Sequence, residues 1–174
     1  MAGHTKLRRE IEPRWVAEYC AKFYPNYPVR YRCPLGPVPP GLAEGFPPEK
    51  ALRIARPWRP EVDALVIAPK ELILVEAKVF KYMDGLSKLP IYRDLIDSTP
   101  ELEQYRKLPR RMQLLLPAKL DWVETAAKAV GVETVVWAPD WVKAVWEERD
   151  KYWTKEAVEA REERKRILRA IGYA

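Results

Sequence analysis

The chain has 174 residues, of which 31 are Lys or Arg and 25 are Asp or Glu, giving a formal net charge of +6. This length suits one domain whose core is large enough to fold without disulfide or metal staples. The single histidine, His4, excludes histidine-based catalytic triads and histidine zinc sites. The basic excess favours an anionic partner. Without a secretory signal or an apolar run that could span a bilayer, we expect a cytoplasmic protein with no membrane contact.

Cysteine and amide usage say more about habitat than about function. Cys20 and Cys33 form no CxxC pair, so we expect two reduced, partly buried thiols. The chain has three amide residues against 17 prolines and many charges. This composition is typical of proteins from thermophiles.

The N-terminal part predicts a helix, a strand and a long loop. Pro13 suits the first position of a helix that ends before Pro25, and the stretch 27–33 alternates as a strand. The proline-rich stretch 34–48 predicts a stiff loop of the kind that often lines a binding site, and we interpret 51–56 as another strand. The predicted helix carries an apolar face at helical spacing, formed by Val16, Tyr19, Cys20 and Phe23.

A β-hairpin is predicted where two apolar runs, 60–67 and 72–78, flank the short turn 68–71. Pairing about the centre of this turn places Asp63 directly opposite Glu76. Side chains alternate between the faces of a sheet, so both carboxylates lie on one face. Carboxylates about 5 Å apart repel by about 3 kcal/mol at an effective dielectric near 20, so the pair needs a compensating positive charge.

The compensating positive charge could come from either of two sources. Lys78 shares the face of Glu76 and could neutralise it as a structural ion pair on a solvated strand face. The other source is a hard divalent cation, since Mg²⁺ and Mn²⁺ prefer oxygen ligands. The apolar character of both strands argues against a fully solvated sheet and favours the cation.

Asp63, the intervening turn and then Glu76-Ala77-Lys78 resemble the motif of the PD-(D/E)XK nuclease superfamily, the fold of many restriction enzymes and Holliday-junction resolvases. The resemblance extends over about residues 10–140. It implies an α/β protein with a restriction-endonuclease-like central mixed β-sheet flanked by helices. The chain departs from the motif at its first position, because two residues separate Pro60 from Asp63.

The resemblance also implies a function, which is hydrolysis of DNA phosphodiester bonds by a divalent-metal-dependent nuclease. Asp63, Glu76 and the backbone carbonyl of Ala77 would bind Mg²⁺ or Mn²⁺. Lys78 would orient the attacking water, deprotonate it or stabilise the developing charge. The alternative is a non-catalytic nuclease-fold protein of a phage or mobile element that binds DNA or serves assembly.

Enzymes of this superfamily often bring a further acid from the first helix, and Glu18 and Glu10 are the candidates. Glu18 lies off the apolar stripe, which favours an exposed pair with Arg14 or Lys22. Glu10 precedes the predicted helix.

Basic residues form two groups that could contact DNA phosphates, with an exposed charged face as an equally good interpretation of either group. One group surrounds the hairpin and the other follows it in the chain: Arg53, Arg56, Arg59 and Lys81, and then Arg106, Lys107, Arg110 and Arg111.

The rest of the first predicted domain, 1–139, alternates helices and strands. An apolar-periodic helix follows Lys78 and is started or kinked by Pro90. A capped helix begins at 98–101 and ends at Pro109. Then come the buried strand 112–116, a helix from 121 to 130 closed by Gly131, and the buried strand 132–137, an order typical of a crossover between parallel strands.

The stretch 140–174 is predicted to be a long, charged helical extension, packed on the same domain or on a partner. Its apolar side is formed by Trp141, Val145, Trp146, Tyr152 and Trp153. Further along, Ile167, Leu168 and Ile171 could dock on a second copy, so we predict a homodimer.

Overall fold

The computed structural model describes residues 3–42, 44–151 and 154–172, and the side chains of 11–42, 44–149 and 154–172. The chain forms two compact units, Met1–Ala138 and Pro139–Ala174. No helix within the described ranges has the length and apolar character needed to cross a membrane.

The first unit is an α/β structure, as predicted. Its elements in chain order are α1 (Gly3–Phe23), β1 (Val29–Pro34), α2 (Pro48–Ala55), β2 (Glu61–Ala68), β3 (Glu71–Ala77), α3 (Tyr82–Leu95), β4 (Arg110–Leu116), α4 (Asp121–Ala129) and β5 (Glu133–Val136). Short 3₁₀ helices span Arg56–Trp58, Ile96–Ser98 and Pro100–Tyr105.

The five strands form one mixed sheet in the order β1-β2-β3-β4-β5. β1, β2 and β3 pair antiparallel, whereas β3, β4 and β5 pair parallel. The predicted hairpin is therefore confirmed as β2 and β3, and β3 is the central strand. The parallel crossover through α4 is confirmed as well, with Gly131 at φ +69° just after the helix, a conformation that glycine adopts without strain.

The two faces of the sheet are covered by different helices. α1 packs on one face through Trp15, Val16 and Tyr19, all of them buried. On the other face Leu65 of β2 and Leu74 of β3 join an apolar cluster with residues of α3 and α4. Alternation along the strands puts Asp63 and Glu76 on this second face, under α3.

Several local predictions were wrong. Pro13 lies inside α1, which begins at Gly3. The stretch 51–56 belongs to α2, where Pro48 occupies the first helical turn and Ala51 and Ala55 bury one face. β5 is half-exposed because it is an edge strand.

Two predictions about where helices begin also differ from the structure. The Thr99 hydroxyl makes no cap at Pro100–Tyr105; it accepts from the Gly36 N–H at 2.8 Å and donates to the Leu95 carbonyl at 2.8 Å. Pro90 does not begin its helix but lies within α3.

The second unit consists of α5 (Asp140–Lys151) and α6 (Lys155–Ala170). The predicted long helical extension thus consists of two helices. Thr154 caps the N-terminus of α6, because its hydroxyl accepts from the Ala157 N–H at 3.4 Å. Tyr152 and Trp153, part of the predicted apolar side, lie outside the described residues.

Candidate metal and catalytic site

Asp63 and Glu76 meet where the main-chain ladder between β2 and β3 ends. The last regular pair joins Ala64 to Val75, so the next position places the two acids opposite each other. Beyond that pair, side chains replace carbonyls as acceptors. The Asp63 N–H donates to Glu76 Oε2 at 3.3 Å, and the Ala77 N–H donates to Asp63 Oδ2 at 2.9 Å. The acids therefore face one another on the same side of the sheet.

The Lys78 ammonium lies at the point on which the predicted metal ligands converge. Its Nζ is 2.9 Å from Glu76 Oε1 and 3.9 Å from Asp63 Oδ2. The same Nζ donates to the Ala77 carbonyl at 2.9 Å. The Lys78 side chain is 7% exposed and that of Glu76 is 3% exposed, whereas Asp63 retains 21% and opens the cluster to solvent.

Glu12 of α1 completes this cluster, and sequence reasoning missed it. Its Oε2 lies 3.2 Å from Lys78 Nζ, and its Oε1 accepts from the Val79 N–H at 3.3 Å, so this acid also holds the end of β3. A signal was present in the sequence. Glu12 stands three, four and seven residues before Trp15, Val16 and Tyr19, which places an acid on the sheet-facing stripe of α1.

Of the two acids predicted from the first helix, Glu18 does not reach this cluster. It pairs with Arg14 at 3.0 Å on the exposed side of α1, which agrees with the exposed pair that the sequence favoured. Glu10 lies within α1, and its side chain is outside the described residues. Among the described side chains of α1, the acid at the cluster is Glu12.

Burial raises the pKa of two acids of this cluster, and repulsion from Asp63 adds to the shift at Glu76. Burial is the main cause that raises the pKa of Glu76 to about 7, and the neighbouring Asp63 raises it further against the opposing effect of Lys78. Burial also raises the pKa of Asp63, although Lys78, the Ala77 N–H and the more distant Lys88 and Arg32 oppose that shift. One ammonium therefore does not neutralise the acids that surround it.

The same cluster keeps Lys78 protonated. Burial lowers the pKa of this ammonium, but attraction to Glu76, Asp63 and Glu12 outweighs burial, so the pKa lies above its ordinary value. In this arrangement Lys78 is a cation and not a base.

α3 forms the wall over the cluster through a glycine. A Cβ built on Gly85 would lie 2.6 Å from Leu114 Cδ1 and 3.0 Å from Lys78 Cγ. The absence of a side chain at this position lets α3 approach Lys78 and Glu76 closely. Further along α3, Tyr92 is buried, and burial followed by the charges of Glu76 and Asp63 raises the pKa of its phenol.

The donor set fits a hard divalent cation, although Lys78 takes that place here. Within the described part of the chain, no group of three or more His, Cys, Asp or Glu side chains is arranged to hold a metal ion. The oxygens of Glu12, Asp63, Glu76 and Ala77 instead surround the ammonium, which acts as a stand-in cation among oxygen donors only. Mg²⁺ and Mn²⁺ prefer such donors. A metal ion would bind here only if Nζ withdrew.

Two of the basic residues predicted to contact DNA are held by acids of the chain itself. Arg59 is 5% exposed and holds both oxygens of Glu101, at 2.6 and 2.9 Å. The guanidinium of Arg110 pairs with Asp97 and donates to the Arg93 carbonyl at 2.9 Å. Neither guanidinium is available to a phosphate without breaking these contacts.

The other six basic residues remain at least partly accessible. Three are engaged in ion pairs: Arg56 with Glu61, Arg106 with Glu103, and Arg111 with both Glu71 and Glu133. The remaining three are exposed and have no ion pair with the described residues: Arg53, Lys81 and Lys107.

Comparison of the chain with protein families, with curated proteins and with solved structures gave no match.

Proposed function

We propose that this protein is a divalent-metal-dependent nuclease that hydrolyses DNA phosphodiester bonds, with its site at Asp63, Glu76 and Lys78. The observation that carries the proposal is the excess of acids around one buried ammonium at the end of the central hairpin. A buried cluster with more negative than positive groups is costly unless a further cation binds. Perturbed pKa values of this kind concentrate at functional sites.

In this proposal each group at the site has its own role. Asp63, Glu76 and the Ala77 carbonyl would hold the cation, and Glu12 would be the further acid from α1. A divalent cation at this place would polarise the phosphate and lower the pKa of a bound water. Once displaced from the acids, the Lys78 ammonium can orient that water or stabilise charge on a phosphate oxygen.

The test is cleavage of plasmid, branched and single-stranded DNA by the purified protein with Mg²⁺ or Mn²⁺. We expect metal-dependent cleavage that is lost in Asp63→Asn and Glu76→Gln and strongly reduced in Glu12→Gln. Glu18→Gln is the matched control, since it removes a carboxylate from the same helix as Glu12 but from an exposed pair. We expect its rate to equal that of the wild type.

Cleavage that survives Asp63→Asn or Glu76→Gln would defeat the assignment. Calorimetry with Mn²⁺ provides a second measurement. The wild type should bind Mn²⁺, with affinity reduced in Glu12→Gln and unchanged in Glu18→Gln.

A second candidate function is a non-catalytic nuclease-fold module that binds DNA or serves assembly. The position of Lys78 favours it, because an ammonium already shared among the acids can hold the hairpin without any metal. This candidate predicts salt-sensitive DNA binding with no turnover and no Mn²⁺ binding. The two measurements above therefore separate the two candidates.

A further inference from the structure

A backbone irregularity lies directly beside Asp63 on the neighbouring strand. In the β1–β2 register, Tyr31 pairs with Ala64 and Cys33 pairs with Val62, which leaves Arg32 abreast of Asp63. Arg32 has φ +48° and is the sole non-glycine residue at positive φ in the described part of the chain. Non-glycine residues rarely adopt this left-handed conformation, and such strain concentrates at binding sites.

A single carboxylate holds the Arg32 side chain together with a second arginine. Glu61 Oε2 accepts from Arg32 Nε at 3.2 Å, and Glu61 Oε1 accepts from Arg56 Nε at 2.8 Å. Arg56 Nη2 also donates to the main-chain carbonyl of Arg32 at 3.0 Å. These three residues, which we call the arginine clamp, keep one unmatched positive charge.

Several guanidinium N–H donors of the clamp are not used in its own hydrogen bonds. Arg32 uses only Nε and Arg56 only Nε and Nη2, so both Nη groups of Arg32 and Nη1 of Arg56 lack an acceptor among the described residues. The two arginine side chains are 68% and 49% exposed. Planar guanidinium donors with this freedom suit the oxygens of a phosphate.

The position of the clamp next to the acids gives it a purpose. DNA that approaches Asp63 and Glu76 meets carboxylates, which repel its phosphates. The net positive charge of the clamp lies one β-strand away from Asp63. It offsets that repulsion and fixes the position of the DNA strand.

We propose that the arginine clamp binds a backbone phosphate of the DNA strand next to the phosphate held at Asp63. This proposal rests on the function proposed above. It adds Arg32 as a substrate contact and assigns Glu61 the role of positioning both guanidinium groups. It also gives Arg56 a contact with substrate, whereas Arg59 is buried in its pair with Glu101.

The experiment measures binding of duplex and single-stranded DNA in EDTA over a series of salt concentrations. Arg32→Gln and Arg56→Gln should each lower affinity and reduce the slope of log K against log salt by about 0.9, the value for one lost phosphate contact on duplex DNA. Arg14→Gln is the matched control. Arg14 is 66% exposed and pairs with Glu18 at 3.0 Å, so it resembles Arg32 in exposure and pairing. Its slope should not change.

A further variant separates backbone strain from charge. Glycine adopts φ +48° without strain, so Arg32→Gly should keep or raise the thermal midpoint while it weakens DNA binding as much as Arg32→Gln. Unchanged affinity in a folded Arg32→Gly, or equal slopes for Arg32→Gln and Arg14→Gln, would overturn the clamp but leave the nuclease proposal intact. A wild type that binds no DNA in EDTA would also overturn the clamp, whereas the nuclease proposal fails only if no metal-dependent cleavage is found.

Discussion

The first unit contains two buried ion clusters of opposite character. Arg59 and Glu101 form a balanced pair, in which one guanidinium holds both oxygens of one carboxylate. Lys78 stands among more acids than it can neutralise. The two cations are similarly buried, with side chains 2% and 7% exposed. Burial alone therefore does not distinguish the clusters.

The pKa values of the acids in the two clusters shift in opposite directions. Burial raises the pKa of Glu101, but its hydrogen bonds and the charges of Arg59 and Arg30 together outweigh burial, and the pKa lies below its ordinary value. In the other cluster burial and Asp63 prevail and bring the pKa of Glu76 to about 7. The charges of the balanced pair cancel, whereas the cluster around Lys78 gains from an additional cation. This difference separates a structural ion pair from a candidate site.

The largest change in stability is expected from a substitution that breaks the balanced pair of Arg59 and Glu101. Glu101→Ala leaves the Arg59 guanidinium buried with only a 3.4 Å contact to the Pro34 carbonyl, so we expect a loss of about 3–5 kcal/mol in the free energy of unfolding. Glu76→Gln removes a poorly compensated charge. We expect the metal-free protein to keep its stability or to gain some. Urea unfolding at pH 7 in EDTA measures both changes.

Glu101→Gln is the control for shape, because it retains an acceptor oxygen and should lose less stability than Glu101→Ala. If Glu76→Gln destabilised the protein as much as Glu101→Ala, the cluster around Lys78 would be an ordinary structural ion cluster. The comparison between the two regions would then fail.

The second prediction concerns the dependence of stability on pH. Between the unfolded pKa of Glu76, near 4.5, and its folded value of about 7, the folded protein keeps a proton that the unfolded chain has released. The free energy of unfolding therefore falls as pH rises through this window, by about 3 kcal/mol at 1.36 kcal/mol per unit. Above pH 7 the loss is complete.

Other acids contribute as well: the raised pKa of Asp63 acts in the same direction, and the lowered pKa of Glu101 adds stability as pH rises towards its unfolded value of 4.5. The informative quantity is therefore the difference between the wild type and Glu76→Gln, followed by urea unfolding from pH 4.5 to 8. We expect Mn²⁺ to restore stability to the wild type at pH 8 and not to Glu76→Gln. A pH-independent difference between the two proteins would contradict the raised pKa.

The sequence was sufficient to predict the part of the site that depends on local pairing. A short turn between two apolar runs determines the register of β2 and β3, and the register determines that Asp63 faces Glu76. Strand alternation then places Lys78 on the same side. These inferences need only neighbours within about a dozen residues of one another.

Contacts between distant parts of the chain were not predictable in the same way. Arg59 and Glu101 are separated by 42 residues, so nothing near Arg59 showed that it would be buried and paired. Glu12 was missed for a different reason. Taking Pro13 as the start of the helix placed Glu12 outside α1, although its spacing to Trp15 and Val16 puts it on the buried stripe.

The smallest predicted effect sharpens the comparison by disturbing how α3 packs on the unbalanced cluster. In Gly85→Ala, the new methyl group would lie 2.6 Å from Leu114 Cδ1 and 3.0 Å from Lys78 Cγ, and both side chains would have to move. Overpacking costs about 1–3 kcal/mol, and the better helix propensity of alanine returns about 1 kcal/mol. We therefore expect a net loss of up to about 2 kcal/mol in the free energy of unfolding, measured by urea unfolding.

Ser87→Ala provides the control on the same helix, since this exposed residue donates only to the Asp84 carbonyl. Because the Gly85 contact reaches Lys78, Gly85→Ala should also alter the pH dependence of stability that Glu76 causes, whereas Ser87→Ala should leave it unchanged. A loss of stability with an unaltered pH dependence would mean that α3 packs on Leu114 alone. The position of the ammonium among the acids would then be maintained by the hairpin and Glu12 without help from the helix.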